Sequence, residues 1–189
     1  MVNEELIEEE LINERTAEMS QYPVWRLAVD SALNKADDAN TASFVQLATL
    51  DGCGKPSVRT MVCRGFTDDS SAMLMATDLR SDKVAQHKDK SCVQVVWYFT
   101  TVREQFRFSG MMDCLTIESA DQSTRLHVWK NLSDRARLSF FDAIEDQPTN
   151  LVEPGENFVV LKVVIDEVEQ LDLKSELQQP RHFEVISSS

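Results

Sequence analysis

Three stretches of the chain hold side chains able to grip a charged, planar ligand. In Ser57-Val58-Arg59-Thr60-Met61-Val62-Cys63-Arg64-Gly65-Phe66, two guanidinium groups bracket an apolar run, and their odd separation puts them on opposite faces of a regular strand. If that sheet curls into a barrel, one of the two arginines is not plain surface. In Thr77-Asp78-Leu79-Arg80-Ser81-Asp82-Lys83, a strand end runs into a helix start, so backbone N–H groups, the Ser81 hydroxyl, Arg80 and Lys83 could converge on one anion. A phosphate would suit that pocket. The third stretch, Trp97-Tyr98-Phe99 followed by Arg103-Glu104-Gln105-Phe106-Arg107, places aromatic surface beside a neutral amide and two guanidinium groups, as a planar heteroaromatic ring requires. Taken singly, each stretch also fits a structural role: a solvated basic strand edge, a serine N-cap, or aromatic core packing.

The elements that must position these groups follow from periodicity. Pro23 opens an apolar stripe of Val24, Trp25, Leu27, Ala28, Ala32 and Leu33, which predicts a helix over Val24–Ala36. From Ser43 the pattern changes to short β-rich runs. Phe44–Leu50 ends at the loop Asp51-Gly52-Cys53-Gly54-Lys55-Pro56 and is followed by Ser57–Phe66, an antiparallel hairpin. Further strands are expected over Ala72–Thr77, Val93–Thr100, Glu104–Ile117 with a bend, and Asn157–Leu173. Ser81–Lys88 reads as a short helix, and Ser119–Phe141 as one or two helices broken near Ser133-Asp134. About six strands with helical excursions predict a closed or nearly closed antiparallel barrel with helices packed outside.

Composition bounds the remaining choices. The 189 residues carry a formal charge of −13, with 42% hydrophobic and 27% charged residues, proportions of a single globular domain. Residues 1–20 hold seven glutamates against Arg15 alone and form an acidic arm ahead of a domain spanning residues 21–189. Residues 55–107 hold nine Lys or Arg against six Asp or Glu, so the middle of the chain is locally basic and permits an anion site in an acidic protein. The overall charge argues against a nucleic-acid partner. No apolar run approaches the roughly 20 residues that cross a bilayer, and the acidic N-terminus is unlike a basic signal peptide, so a cytoplasmic protein with no membrane partner is expected. Cys53, Cys63, Cys92 and Cys114 lack C-x-x-C spacing and read as free thiols. His87, His127 and His182 lie too far apart in sequence for a metal motif, so no metal is expected. Glycine-rich nucleotide loops and the G-x-S-x-G elbow are absent.

In order and spacing, ATLDGCGKPSVRTMVCRGF, ATDLRSDK and VWYFTTVREQFRFSG resemble the FMN-binding split-barrel family named for pyridoxamine 5′-phosphate oxidase. They look most like a subgroup with T-D-x-R-S-x-K and R-E-Q-F-R motifs. The resemblance runs from about Pro23 to Arg181 and implies a mainly β fold, a six-stranded antiparallel split barrel with flanking helices. It implies a homodimer with FMN at the subunit interface. It places Arg59 on the FMN phosphate and the strand through Thr60, Met61, Val62 and Cys63 beside the flavin. Arg64 falls where the oxidase meets its substrate phosphate. The family's Y-T pair falls on Ala76 and Thr77, its S-R-K on Ser81, Asp82 and Lys83, and its flavin-contacting glutamine on Gln105. Asp82 departs from the pattern, since a carboxylate repels a phosphate, and Arg80 is the expected replacement clamp.

Toward the C-terminus the resemblance weakens. Leu171 stands near a family tryptophan, and Trp129 and Ser133 lie near substrate-contacting positions without supplying the same chemistry. Arg181 and His182 are candidate remnants of a substrate pair, in a tail expected to be frayed and to lack the family's last strand. The implied function is an FMN-dependent oxidoreductase acting on a small substrate that could be phosphorylated, with no catalytic residue identified. A flavin-binding carrier or sensor without turnover is the alternative, and a haem-binding relative of the barrel is a remote third.

Overall fold

Alternation of apolar and polar residues sets the strands of the computed structural model, which describes residues 22–87, 92–141 and 150–185. The acidic arm expected over residues 1–20 lies outside them. In chain order the elements are α1 (Val24–Asn34), α2 (Ala39–Ala42), β1 (Phe44–Leu50), β2 (Pro56–Phe66), β3 (Ala72–Asp78), α3 (Asp82–His87), β4 (Cys92–Phe99), β5 (Glu104–Leu115), α4 (Gln122–Lys130), α5 (Asp134–Leu138), β6 (Phe158–Asp172) and β7 (Arg181–Glu184). The antiparallel strand order is β3-β2-β1-β4-β5-β6, and β3 pairs with β6 from Ala72↔Val164 to Asp78↔Phe158, which closes a six-stranded barrel. Closure leaves no free edge among those six strands.

Inside the barrel, Val45, Leu47, Met73, Met75, Val95, Trp97, Phe106, Phe108 and Leu161 are buried, and Trp25 and Val29 of α1 join them. Burial of one such side chain stabilises the fold by about 1.5–3 kcal/mol. β3 is buried on both faces because its outward Leu74 packs under α4 and α5, where Val128, Trp129, Leu132 and Phe140 meet Phe158 and Val160. Trp129 completes that second core by donating its Nε1–H to the Leu151 carbonyl at 2.9 Å.

Each strand and helix expected within the described residues is present, with ends shifted by up to three residues, and α2 is an addition that the sequence pattern did not show. The break at Ser133-Asp134 is a capped helix start, the Ser133 hydroxyl accepting from the Ala136 N–H. The expectation of a frayed tail at Arg181 and His182 is corrected. β6 runs fifteen residues, and its C-terminal half outlasts the pairing with β3, so β7 docks there from Glu167↔Glu184 to Gln170↔Arg181. Phe183 and Val185 alternate inward onto the barrel core, a period-two signal too short to read in a polar tail.

Candidate cofactor site

The start of β2, the end of β3 and the first turns of α3 enclose a cleft of about 470 Å³, walled by Ser57, Val58, Arg59, Arg80, Ser81, Asp82, Lys83 and Gln86. With six residues α3 is too short for its dipole to matter much, so side chains define the site. Val84 anchors α3 in the barrel core, fixing Lys83 and Gln86 on either side of it.

Arg59 shares the inward face of β2 with Met61 and Cys63, near the barrel's end. Its Nη1 donates to the Leu47 carbonyl at 3.3 Å and the Thr49 hydroxyl at 2.6 Å, and its Nη2 to the Ser57 hydroxyl at 2.8 Å and Gln86 Oε1 at 3.1 Å. All four acceptors are neutral, so the guanidinium is held but not neutralised. Lys83 Nζ donates to Thr77 Oγ1 and Ser81 Oγ, both at 2.9 Å. Burial lowers the pKa of Arg59, a shift that Asp82 opposes. Burial and then the positive Arg59 lower that of Lys83, against the pull of Asp82 and Asp78. Two partly buried cations thus repel each other at one end of the cleft, an arrangement that an incoming dianion would relieve.

Arg80 lines the same cleft but is drawn back onto Asp78, its Nε and Nη2 meeting that carboxylate at 2.8 and 2.7 Å. These bonds hold the Asp78 carboxyl below the usual range. The replacement clamp expected of Arg80 therefore competes with an internal carboxylate. Asp82 is exposed in the first turn of α3 and reaches both cations only through space.

Along β2, Met61 and Cys63 face the barrel interior while Thr60 and Val62 face outward. Burial pushes the Cys63 thiol up to about 11. A bulge between Cys63 and Phe66, with Gly65 at φ 110°, turns the strand. Arg64 sits at this bulge on the face opposite Arg59. Its guanidinium pKa is lowered by burial, and its buried Nε lacks a hydrogen-bond partner. Thr77 points inward next to Lys83, and Ala76 packs outward against the α4 core.

The structure brings Arg59, Thr77, Arg80, Ser81 and Lys83 together. It does not bring Gln105 to them within one chain: β1 and β4 lie between Arg59 on β2 and Gln105 on β5, and along β6 Thr77 faces Val159 whereas Gln105 faces Leu171. Gln105 pairs with Tyr98 on one side and Leu171 on the other, on the outer face of β5. Trp129 is core and Ser133 is a cap, so neither offers its side chain to a ligand. His182 lies 3.0 Å from Glu167 across the β6–β7 pair. A second cleft, of about 450 Å³, lies beyond the end of β2, with His127 and Lys162 on its walls, and none of the residues expected from sequence lines it. Among the described residues no cluster of three or more His, Cys, Asp or Glu could hold a metal, and no helix is long and apolar enough to cross a membrane.

Ser57, Thr49 and Gln86 were not anticipated. Ser57 could have been found, being two residues before Arg59 on the same strand face. Gln86, three residues beyond Lys83 on a short helix, had a weaker signal.

The family model described as pyridoxamine 5′-phosphate oxidase, FMN-binding domain, matches residues 22–116, half of the chain. Pyridoxine/pyridoxamine 5′-phosphate oxidase 2 of Arabidopsis thaliana is 33% identical over 129 residues, covering 67% of this chain and 65% of that protein. The pyridoxine/pyridoxamine 5′-phosphate oxidase of Sinorhizobium fredii is 27% identical over 119 residues, covering 59% and 55%. The chain therefore spans less than two thirds of the length of these curated relatives. A crystal structure of a pyridoxamine 5′-phosphate oxidase-related, FMN binding protein from Nostoc punctiforme superposes with a TM-score of 0.75 at 30% identity, covering 87% of this chain and 97% of that one.

Proposed function

The chain belongs to the pyridoxamine 5′-phosphate oxidase family of FMN-binding split barrels, and from that membership we propose that it is an FMN-dependent oxidoreductase acting on a small, anionic substrate. FMN is the family's cofactor, and the donor set fits it: a terminal phosphate needs cations and hydroxyls, which Arg59, Lys83, Ser57 and Ser81 supply in one cleft. The observation that carries this reading is the pair of partly buried cations, Arg59 and Lys83, whose hydrogen bonds all go to neutral partners in one cleft. When bound, FMN supplies two-electron redox chemistry at its ring, which the protein positions and tunes.

In this proposal the β2 backbone from Thr60 to Cys63, with Ala76 and Thr77 of β3, borders the flavin. Arg64, whose buried Nε has no acceptor, receives an anionic group of the substrate. Gln105 contacts the flavin from a second copy of the chain, since its own strand faces away from the cleft. Phe44, Tyr98 and Met111 expose 42%, 41% and 44% of their surface on the outer faces of β1, β4 and β5, which supports a homodimer formed there. Four cysteines without a disulfide support a cytoplasmic setting.

The names of the curated relatives suggest pyridoxine or pyridoxamine 5′-phosphate as substrate, with dioxygen as acceptor. A second reading, a flavin carrier without turnover, is favoured by His182 being engaged by Glu167 and by the structural roles of Trp129 and Ser133. Protein purified without added cofactor should absorb in the flavin bands, and incubation with pyridoxine 5′-phosphate under air should yield peroxide and the aldehyde. Flavin-loaded protein that makes neither would discard the oxidase reading and leave the carrier. Arg59→Ala should weaken FMN binding by about tenfold or more, on the scale of one charge-assisted hydrogen bond. Full cofactor retention in that variant would remove Arg59 from the phosphate site.

A further inference from the structure

Thr49, Arg59 and Gln86 close a hydrogen-bonded ring at the back of the phosphate cleft. Arg59 Nη1 donates to Thr49 Oγ1 at 2.6 Å, Thr49 Oγ1 donates to Gln86 Oε1 at 2.6 Å, and Arg59 Nη2 donates to the same Oε1 at 3.1 Å. Thr49 is 2% exposed, so the ring's inner corner is dry. A guanidinium only donates, so the Gln86 atom facing Arg59 must be the amide oxygen. Its Nε2, with two N–H donors, is thereby turned away from the ring, and Gln86 is one of the residues that line the cleft.

The ring also decides what Arg59 can do. Of its five N–H donors, the four on Nη1 and Nη2 reach Leu47, Thr49, Ser57 and Gln86. Arg59 therefore contributes a fixed charge and its Nε–H to an anion, and is not free to swing a bidentate fork onto it. A neutral donor beside a fixed charge completes what a phosphate oxygen needs.

We propose that Gln86 is a positioning and selectivity residue, locking Arg59 through its amide oxygen and presenting its amide N–H to the flavin's terminal phosphate, so that the site prefers FMN to riboflavin. This rests on the phosphate cleft proposed above. Gln86 belongs to none of the sequence motifs that suggested that cleft, and its place on the cleft wall and in the ring reveals it.

The test is flavin affinity of the full chain, measured by fluorescence quenching with FMN and with riboflavin, for the natural protein, Gln86→Leu and Gln86→Glu. Gln86→Leu removes both the acceptor and the donor. Gln86→Glu keeps an acceptor for Arg59 and Thr49 while replacing the N–H by a second carboxylate oxygen. The natural protein should bind FMN at least tenfold more tightly than riboflavin. Both variants should lose about tenfold in FMN affinity while holding riboflavin within about twofold, and Gln86→Glu, which preserves the ring, should lose the preference no less than Gln86→Leu. Unchanged FMN preference in Gln86→Glu overturns the direct amide contact, and unchanged preference in Gln86→Leu overturns the whole inference. Parallel loss of both ligands would make Gln86 merely structural. A natural protein that binds the two flavins equally overturns the phosphate cleft, and this inference with it.

Discussion

At the cleft proposed to hold the cofactor, Asp82 departs from the pattern that the resemblance implies, and its chemistry gives two expectations. Its carboxylate attracts Arg59 and Lys83 through space without bonding either, so in the FMN-free protein it partly offsets their mutual repulsion. A bound phosphate competes for the same charge. Asp82→Asn should therefore tighten FMN binding by about two- to fivefold, the scale of one exposed charge interaction, and a weaker titration endpoint would mean that Asp82 orients the cations. Lys83 gives the pH dependence. Burial and Arg59 lower its pKa, so its charge is lost, as pH rises, earlier than that of an ordinary lysine. FMN affinity should fall through the same alkaline range, and proton uptake on binding, read by calorimetry in buffers of different ionisation enthalpy, should accompany it. A flat affinity up to the ordinary lysine range would separate Lys83 from the phosphate. Thiol reactivity is a third residue-level check. Cys53 is exposed, whereas burial raises the Cys63 and Cys114 thiols to about 11 and about 12. Iodoacetamide at neutral pH should label Cys53 and spare Cys63 and Cys114 in the native protein.

Between residue and fold stand the devices that aim each element, and here the sequence is unevenly legible. Asp121 caps α4 by accepting from the Thr124 N–H at 3.1 Å and binds Lys162 Nζ at 3.1 Å. Burial would raise its pKa, but the bonds from Thr124, Lys162 and Ser123 outweigh that and hold it at about 2. A folded pKa below the unfolded one gives stability that is complete above the unfolded value and fades as pH falls toward 2. Asp121→Ala should cost about 1 kcal/mol at neutral pH in urea unfolding, and the gap to the natural chain should shrink on acidification through that window. The strands were readable because Phe44–Leu50, Val93–Phe99 and Phe106–Phe108 alternate cleanly, and the break at Ser133 because an N-cap has a residue signature. The Arg59 and Lys83 convergence was readable because both sit within family-like motifs. What escaped depended on tertiary placement. β7 carries one half-buried aromatic residue in a polar tail and exists because β6 offers it an edge. Gln86 matters only because α3 folds back over Thr49, a contact separated by 37 residues that no local pattern encodes. The Arg80–Asp78 pair is likewise a tertiary detail that the motif does not show, an internal carboxylate drawing on a cation that still lines the cleft.

At the scale of the molecule, one closed barrel solves the folding problem and leaves the flavin problem half solved. The β3–β6 pairing completes the core, so the chain has no need of a partner to bury its interior. Yet Gln105 stands on the outer face of β5, away from the proposed phosphate cleft, and a flavin that both contacted would, in the proposal above, lie between two chains. The dimer proposed here is therefore a requirement of cofactor binding more than of folding, and the two are separable by experiment. Phe44 is 42% exposed at the start of β1, opposite Val62 of β2, and lines neither cleft. Phe44→Glu places a charge on the face proposed to pair, where desolvating it twice in a symmetric interface costs several kcal/mol. Sedimentation should show the natural protein as a dimer and Phe44→Glu as a single chain, with the urea midpoint of the flavin-free monomer little changed and FMN affinity reduced at least tenfold. A variant that remains dimeric would move the interface to another face, and a monomer that keeps full FMN affinity would place the whole flavin site within one barrel.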